Sequence, residues 1–555
     1  MINQFTQLNQ VTGIAKYIVP RGSILDLNKI ELSSQNLRTQ IDVDKSWNNN
    51  SISGVIGAEV GQTRSNGNAY RTYGYNEDLG VATGLIDPVN SYPLFYGGTA
   101  TIGNTNSFSG TDNRSISYYA SGAYTYLSRY SISGSIRKDQ SNIFGVNTNQ
   151  KGRPFWSAGA AWELTREKFF PLDAFSYFKL RATYGTSGNV DNSLSALTVM
   201  SYTGSPNSLT GFTQAVINKF ANPDLRWEKT GMFNIGFDFA TSGGRISGSL
   251  DYYQKRGTDL LGDALVDITT GLKVTSVRKN VAEMSGKGID LTLNSTNIDR
   301  KFKWRSTLLL AYTQNRVQDY YLSTYQGSTY ITPQGNLVTP VAGYPVYSIF
   351  SYRSAGLDPA NGNPRGYLGD KISTDYTAIT GNGTHVADLV YNGPSTPVVS
   401  GAIRNTLNYK NFELAVNITY KLGYYFRKSS VSYSALFSGW VQHADYMSRW
   451  QKTGDEHFTT IPSLIYPADP NRDAFYAGSE TLVRRADHLR LQYISIAYSV
   501  PGIKSKKLPI RDLSITANAS NLGMLWAANK DGIDPDYPYD ISPPKMLSFG
   551  LRAQF

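Results

Sequence analysis

Apolar and polar residues alternate with a period of two along most of the chain, and the i, i+3, i+4 spacing of an amphipathic helix is nearly absent. Phe233, Ile235, Phe237 and Phe239 alternate with Asn234, Gly236 and Asp238. Ile116, Tyr118, Ala120, Gly122, Tyr124 and Tyr126 stand against Ser115, Ser117, Tyr119, Ser121, Ala123 and Thr125. Leu547, Phe549, Leu551, Ala553 and Phe555 stand against Ser548, Gly550, Arg552 and Gln554. Each segment thus has one mainly apolar and one mainly polar face. Soluble sandwiches and propellers alternate too, so strand length has to decide. Residues 245–255, 302–312 and 412–422 sustain the pattern for the roughly 9–11 residues that cross a bilayer, against about 5–6 in soluble sheets. The pattern predicts an all-β fold, an antiparallel transmembrane β-barrel.

The connections point the same way, because outer-membrane barrels alternate short turns on one side with long loops on the other. Short links are expected at 48–50, 127–129, 241–244, 297–301 and 410–411. Long extracellular loops are expected at 63–114, 187–226, 257–285, 315–400, 423–488 and 522–544, with 344–354 counted as loop. Counting back from Phe555, which falls on the short-turn side, gives about fifteen wall strands. Tyr126, Tyr130, Trp156, Trp162, Trp227, Tyr252, Tyr253, Trp304, Tyr312 and Tyr409 lie at strand ends, where aromatic girdles sit.

Composition narrows the function. The 555 residues include 51 Gly and 39 Tyr but only 17% charged residues, below the roughly 25% of ordinary globular chains. With no cysteine, disulfides, thiolate zinc sites and cysteine nucleophiles are excluded. The net charge of +11 suits an anionic partner, nucleic acid or lipid, without choosing between them. Residues 1–25 lack the pattern of a signal peptide, and no apolar run reaches the roughly 18–20 residues of a membrane helix. A membrane crossing would therefore be made by strands.

Chemistry-bearing patterns are few. His385, His443, His457 and His488 stand in separate segments, with no HExxH or GxSxG, so no catalytic residue and no metal site is designated and no enzyme is expected. Glycines are dispersed rather than grouped before a helix, which leaves no phosphate loop or other cofactor site. Asp531, Asp534, Asp536 and Asp540 form an acidic stretch without calcium-loop spacing, expected to be a solvated outer loop. Arg484, Arg485, Arg490, Lys504, Lys506, Lys507 and Arg511 are the densest basic group, expected to be solvated turn charge rather than a nucleic-acid stripe.

Several segments resemble the C-terminal barrel of the SusC/RagA-type TonB-dependent outer-membrane transporters. Residues 221–230, ANPDLRWEKT, look like that family's NPxLxWE segment leading into a strand. Residues 177–189, YFKLRATYGTSGN, look like its LKLRxSYGxxGN strand. Similarity continues at 281–290, 482–491 and the terminal strand, and spans about Arg38 to the end; 356–364 resembles a GxDxxxGxP loop with a turn role.

The resemblance implies a cell outer-membrane protein that imports a bulky nutrient, a glycan or peptide, with its barrel embedded in lipid and its outer loops under a SusD-like lipoprotein lid. Neither the plug motif nor a TonB-contacting box is found, so residues 1–555 are expected to form one domain, the C-terminal part of a barrel. The family's plugged barrels have about 22 strands, which leaves roughly seven unaccounted for. The chain is then a fragment not competent alone, coupled to TonB only through the missing plug region. Loop aromatics Tyr320, Tyr321, Tyr325, Tyr330, Tyr424, Tyr425 and Trp440 are candidates for stacking on sugar or peptide. Two alternatives stay open: an ungated pore or adhesin, and a soluble glycan-binding β-protein.

Overall fold

The computed structural model describes residues 2–82, 86–103, 106–142, 152–170, 174–189, 191, 197–202, 207, 209–219, 222, 224–265, 276–320, 326–332, 340–381, 383–500 and 512–554. Fifteen long strands follow one another in a single antiparallel sheet. They are β1 (Ser23–Trp47), β2 (Asn50–Asn76), β3 (Ser107–Tyr126), β4 (Tyr130–Ser141), β5 (Pro154–Glu163), β6 (Phe175–Asn189), β7 (Glu228–Thr241) and β8 (Ile246–Leu265). The rest are β9 (Ser276–Asp299), β10 (Phe302–Tyr320), β11 (Val399–Tyr409), β12 (Phe412–Leu422), β13 (His488–Val500), β14 (Asp512–Ala527) and β15 (Met546–Gln554). The sheet's path runs from β1 to β15, and among the described residues no ladder joins those two edges.

The strand ends that flank links 48–49, 127–129, 164–174, 242–245, 300–301, 410–411 and 501–511 lie at one end of the sheet and those that flank the other links at the opposite end, so the expected alternation holds among the described residues. Left-handed residues such as Asn48 and the Gly243-Gly244 pair close the tight turns.

The strands are longer than a bilayer requires. β1 has 25 residues and β2 has 27, roughly 80 Å along the strand at about 3.3 Å per residue. Much of what the sequence suggested as loop is therefore ladder: Thr63–Asn76 continues β2, Gly257–Leu265 pairs with Ser276–Met284, and Asn315–Tyr320 continues β10. A ladder is made by backbone groups and does not stop where side chains turn polar on both faces.

The register sorts the faces. Leu180, Phe237, Leu250, Leu291 and Leu310 stand directly opposite one another across five strands, as do Ala182, Ile235, Tyr252, Ile289 and Tyr312. On the same face the short-turn end carries the rows Tyr126–Tyr130–Trp162 and Phe302–Tyr409–Phe412–Tyr498. From Phe302 to Tyr312 is about 33 Å along the strand, or roughly 25 Å along the normal at the tilt of a membrane barrel, the height of a lipid-facing belt. Belt residues such as Ile56, Ile132, Ile235, Ile403 and Phe549 are open on the surface, an apolar area far larger than a soluble protein exposes. Tyr253 and Trp227 correct the girdle expectation. Tyr253 is the neighbour of Tyr252 and so faces the interior, bonded to Thr313 at 3.0 Å. Trp227 packs on Phe155, whose side chain also points inward.

Candidate functional site

The interior face is polar and paired. Arg181 forks onto Asp238 with two bonds of 2.9 Å and reaches Asp251 at 3.1 Å, joining three strands. Arg38 donates to the Tyr119 hydroxyl at 2.6 Å. Such a surface holds water and a polar solute, which the outward belt cannot.

At the long-loop end, connections 321–398, 423–487 and 528–545 interlock into a cap with cores of its own. Tyr352, Tyr376 and Ile379 of the first pack around Phe475 of the second, with ring centroids 5.8 and 5.6 Å apart for the two tyrosines. Tyr424, Phe426 and Ala486 pack with Ile533 of the third. Within 356–364 the resembled turn is formed: Gly362 has φ +71°, and a Cβ there would strike the Trp450 ring.

Two polar devices fasten this cap. Arg427, 2% exposed, donates to Thr332 O and Phe350 O, both at 2.5 Å, and to Ser351 Oγ at 2.9 Å, while its own carbonyl accepts from the Tyr539 hydroxyl. Burial pushes its pKa down to about 10, and it remains a cation at neutral pH. Arg427→Lys keeps the charge but loses the planar fork whose two Nη atoms reach the two carbonyls separately, so the cap should lose about 1–3 kcal/mol. Hydrogen exchange of amides 348–351 and 425–427 should quicken by roughly tenfold or more; unchanged exchange would refute the role.

The second device is ionic and corrects both charge expectations. Asp531 binds Lys428 at 3.1 Å and Arg484 at 2.7 Å, and Asp534 binds Arg490. Asp536 binds Lys421 at 2.7 Å and Arg490 at 3.0 Å, with the buried His488 Nε2 at 3.3 Å. Asp531, Asp534 and Asp536 are thus ion-paired rather than solvated, and Arg484 and Arg490 are not free turn charge; Asp540 is exposed, as expected. Arg485 pairs with Asp487. Burial alone would raise the pKa of Asp536, but its bonds to His488 and Lys421 outweigh that and hold the carboxyl well below the usual range. Lys504, Lys506, Lys507 and Arg511 lie outside the described residues.

The candidate aromatics separate. Tyr330 is 4% exposed and packs on Phe350, and Tyr424 is 5% exposed in the core beside Ala486. Tyr320 is half-buried across Gly262, and Tyr425 lies against Gly393. Trp440, 85% exposed, stands open with Phe437, Met447, Phe458 and Tyr466. Tyr321 and Tyr325 lie outside the described residues. Sequence type alone could not distinguish these, because a long loop that folds on itself needs aromatics for its own core.

Residues 6–344 match the sequence model of the family described as TonB dependent receptor-like, beta-barrel. The chain belongs to this family. Among relatives of this TonB-dependent barrel, TonB-dependent receptor P26 of Formosa agariphila is 25% identical over 473 residues, covering 78% of the chain and 45% of that protein. TonB-dependent receptor SusC of Bacteroides thetaiotaomicron is 26% identical over 477 residues, covering 80% and 44%. The chain thus spans less than half the length of these relatives. A solved structure of the RagAB peptide transporter aligns with a TM-score of 0.76 at 20% identity, covering 96% of the chain and 56% of the solved one. The SusC/RagA-type resemblance and the all-β barrel expectation therefore hold.

Proposed function

We propose that the chain forms wall and outer loops of an outer-membrane importer for a bulky nutrient, a peptide or a glycan. The observation that supports this best is the two-faced sheet: an apolar belt outside, an ion-paired polar face inside, and a folded cap at the long-loop end. An open edge cannot stand in hydrocarbon with unpaired N–H and C=O groups, so further strands complete the wall beyond β1 and β15. Coupling to TonB through a plug is assigned to the part of the relatives that this chain does not match. The RagAB neighbour, a peptide transporter by name, favours a peptide, and the glycan alternative rests on the family resemblance of the sequence. Deleting the gene should abolish uptake of one labelled oligopeptide or oligosaccharide while leaving small sugars unaffected. Unchanged uptake and growth on every such polymer would end the proposal.

A SusD-like lipoprotein is proposed as the lid. The exposed set Phe437, Trp440, Met447 and Tyr466 on the cap supports it, since open aromatics of this kind anchor partners. Phe437→Ala with Trp440→Ala should weaken capture of a SusD-like lipoprotein from the source membrane by about tenfold or more. Equal co-purification with parent and double variant would move the contact elsewhere.

A further inference from the structure

The outward face does not end at the belt, because β7 to β10 continue past it with the same register. Above the last apolar row, Tyr252–Ile289–Tyr312, comes Gln254–Lys287–Gln314, and above that Arg256–Ser285–Arg316. These rows border a groove of about 800 Å³, closed on one side by Tyr344 and Tyr391. Rows two residues apart lie roughly 7 Å apart along a strand, so on a tilted wall the two polar rows stand about 5 and 9 Å beyond the apolar edge. Lipid head groups occupy that depth.

Charge in the groove is unbalanced. Arg256, Lys287 and Arg316 sit on three consecutive strands within roughly 10 Å of one another, given a strand spacing of about 4.8 Å. Arg256 has a carboxylate partner, Glu283 at 3.0 Å. Arg316 donates to the Gly343 carbonyl at 2.6 Å, and among the described residues neither it nor Lys287 forms an ion pair. Like charges on neighbouring strands repel, and an anion between them removes the penalty. Gln254 and Gln314 flank Lys287 in its row and can bond the same anion or attached hydroxyls.

We infer that this groove binds the phosphorylated head group of an outer-leaflet glycolipid, with Lys287 and Arg316 as its principal cations and Arg256 as the third. The inference rests on the outer-membrane reading above. A membrane lipid is favoured over free phosphate because groove and belt share one continuous face, so a bound molecule would place its acyl chains on Ile289 and Tyr312.

The test is retention of lipopolysaccharide by the completed barrel that carries this chain, in neutral phosphatidylcholine nanodiscs, counted by native mass spectrometry. Flotation with phosphatidylcholine liposomes scores insertion separately. The parent chain should retain one phosphorylated glycolipid, and Lys287→Gln with Arg316→Gln should lower retention at least tenfold. Lys287→Arg should keep it, and Lys301→Gln at the short-turn end should not change it. Enzymatically dephosphorylated glycolipid should be lost as in the double variant, and millimolar inorganic phosphate should not displace the lipid. Equal retention by parent and double variant, or complete displacement by free phosphate, overturns the lipid site while leaving the barrel reading intact. A completed barrel that does not float overturns the outer-membrane reading and the site with it.

Discussion

Replacing Leu293 by arginine should destabilise the membrane-inserted barrel by about 2–4 kcal/mol, the cost of a cation near the middle of a lipid-facing belt. Leu293 stands between Gly248 and Leu308, in the middle rows of a belt that runs on β10 from Phe302 to Tyr312, where no interfacial water is within easy reach. Thr292, one residue back, points to the interior beside Ser249 and Leu309. Thr292→Arg should therefore cost no more than about 0.5 kcal/mol, because its charge enters the hydrated interior. Urea unfolding from liposomes reads both. Should Thr292→Arg prove the more damaging, the two faces have been assigned the wrong way round and the belt does not meet lipid.

That contrast rests on a pattern visible in the sequence, and the same pattern shows where sequence reading stops. Period two fixes which residues share a face, so Phe233 to Phe239 could be assigned before any register was known. It also carried an unused signal: Tyr252 and Tyr253 are adjacent and cannot both face lipid. The extent of the wall above the membrane was not legible, because residues such as Asn66 and Asn68 are polar on a strand held by its ladder to β1 and β3. Nor was the cap, whose aromatics are buried by partners far away in sequence, as Tyr376 is by Phe475. The acidic stretch was misread for the same reason. Its cations lie in one other connection and two strands, although the coincidence of a carboxylate-rich loop with Arg484 and Arg490 could have suggested pairing.

Asp536 gives that pairing its sharpest test. Its carboxylate touches Lys421 on β12, and Arg490 and His488 on β13, so a single side chain holds connection 528–545 onto the rim of the wall. Asp536→Ala leaves three groups facing one another without their shared anion, and removing one partner from a largely buried pair costs about 3–5 kcal/mol. The loss should fall on the cap rather than the belt. Limited proteolysis within 528–545 should accelerate by more than about a hundredfold at neutral pH, with unfolding from the membrane little changed. The pH dependence follows from the depressed pKa. In the folded protein the carboxyl titrates below its unfolded value near 3.9, so its contribution is complete above that value and is lost as pH falls through the folded pKa. Parent chain should thus keep a protected loop down to about pH 4 and open it under stronger acid, whereas Asp536→Asn should be open already at pH 7. A loop equally protected at pH 7 in parent and variant would mean that Asp531 and Asp534 suffice without it.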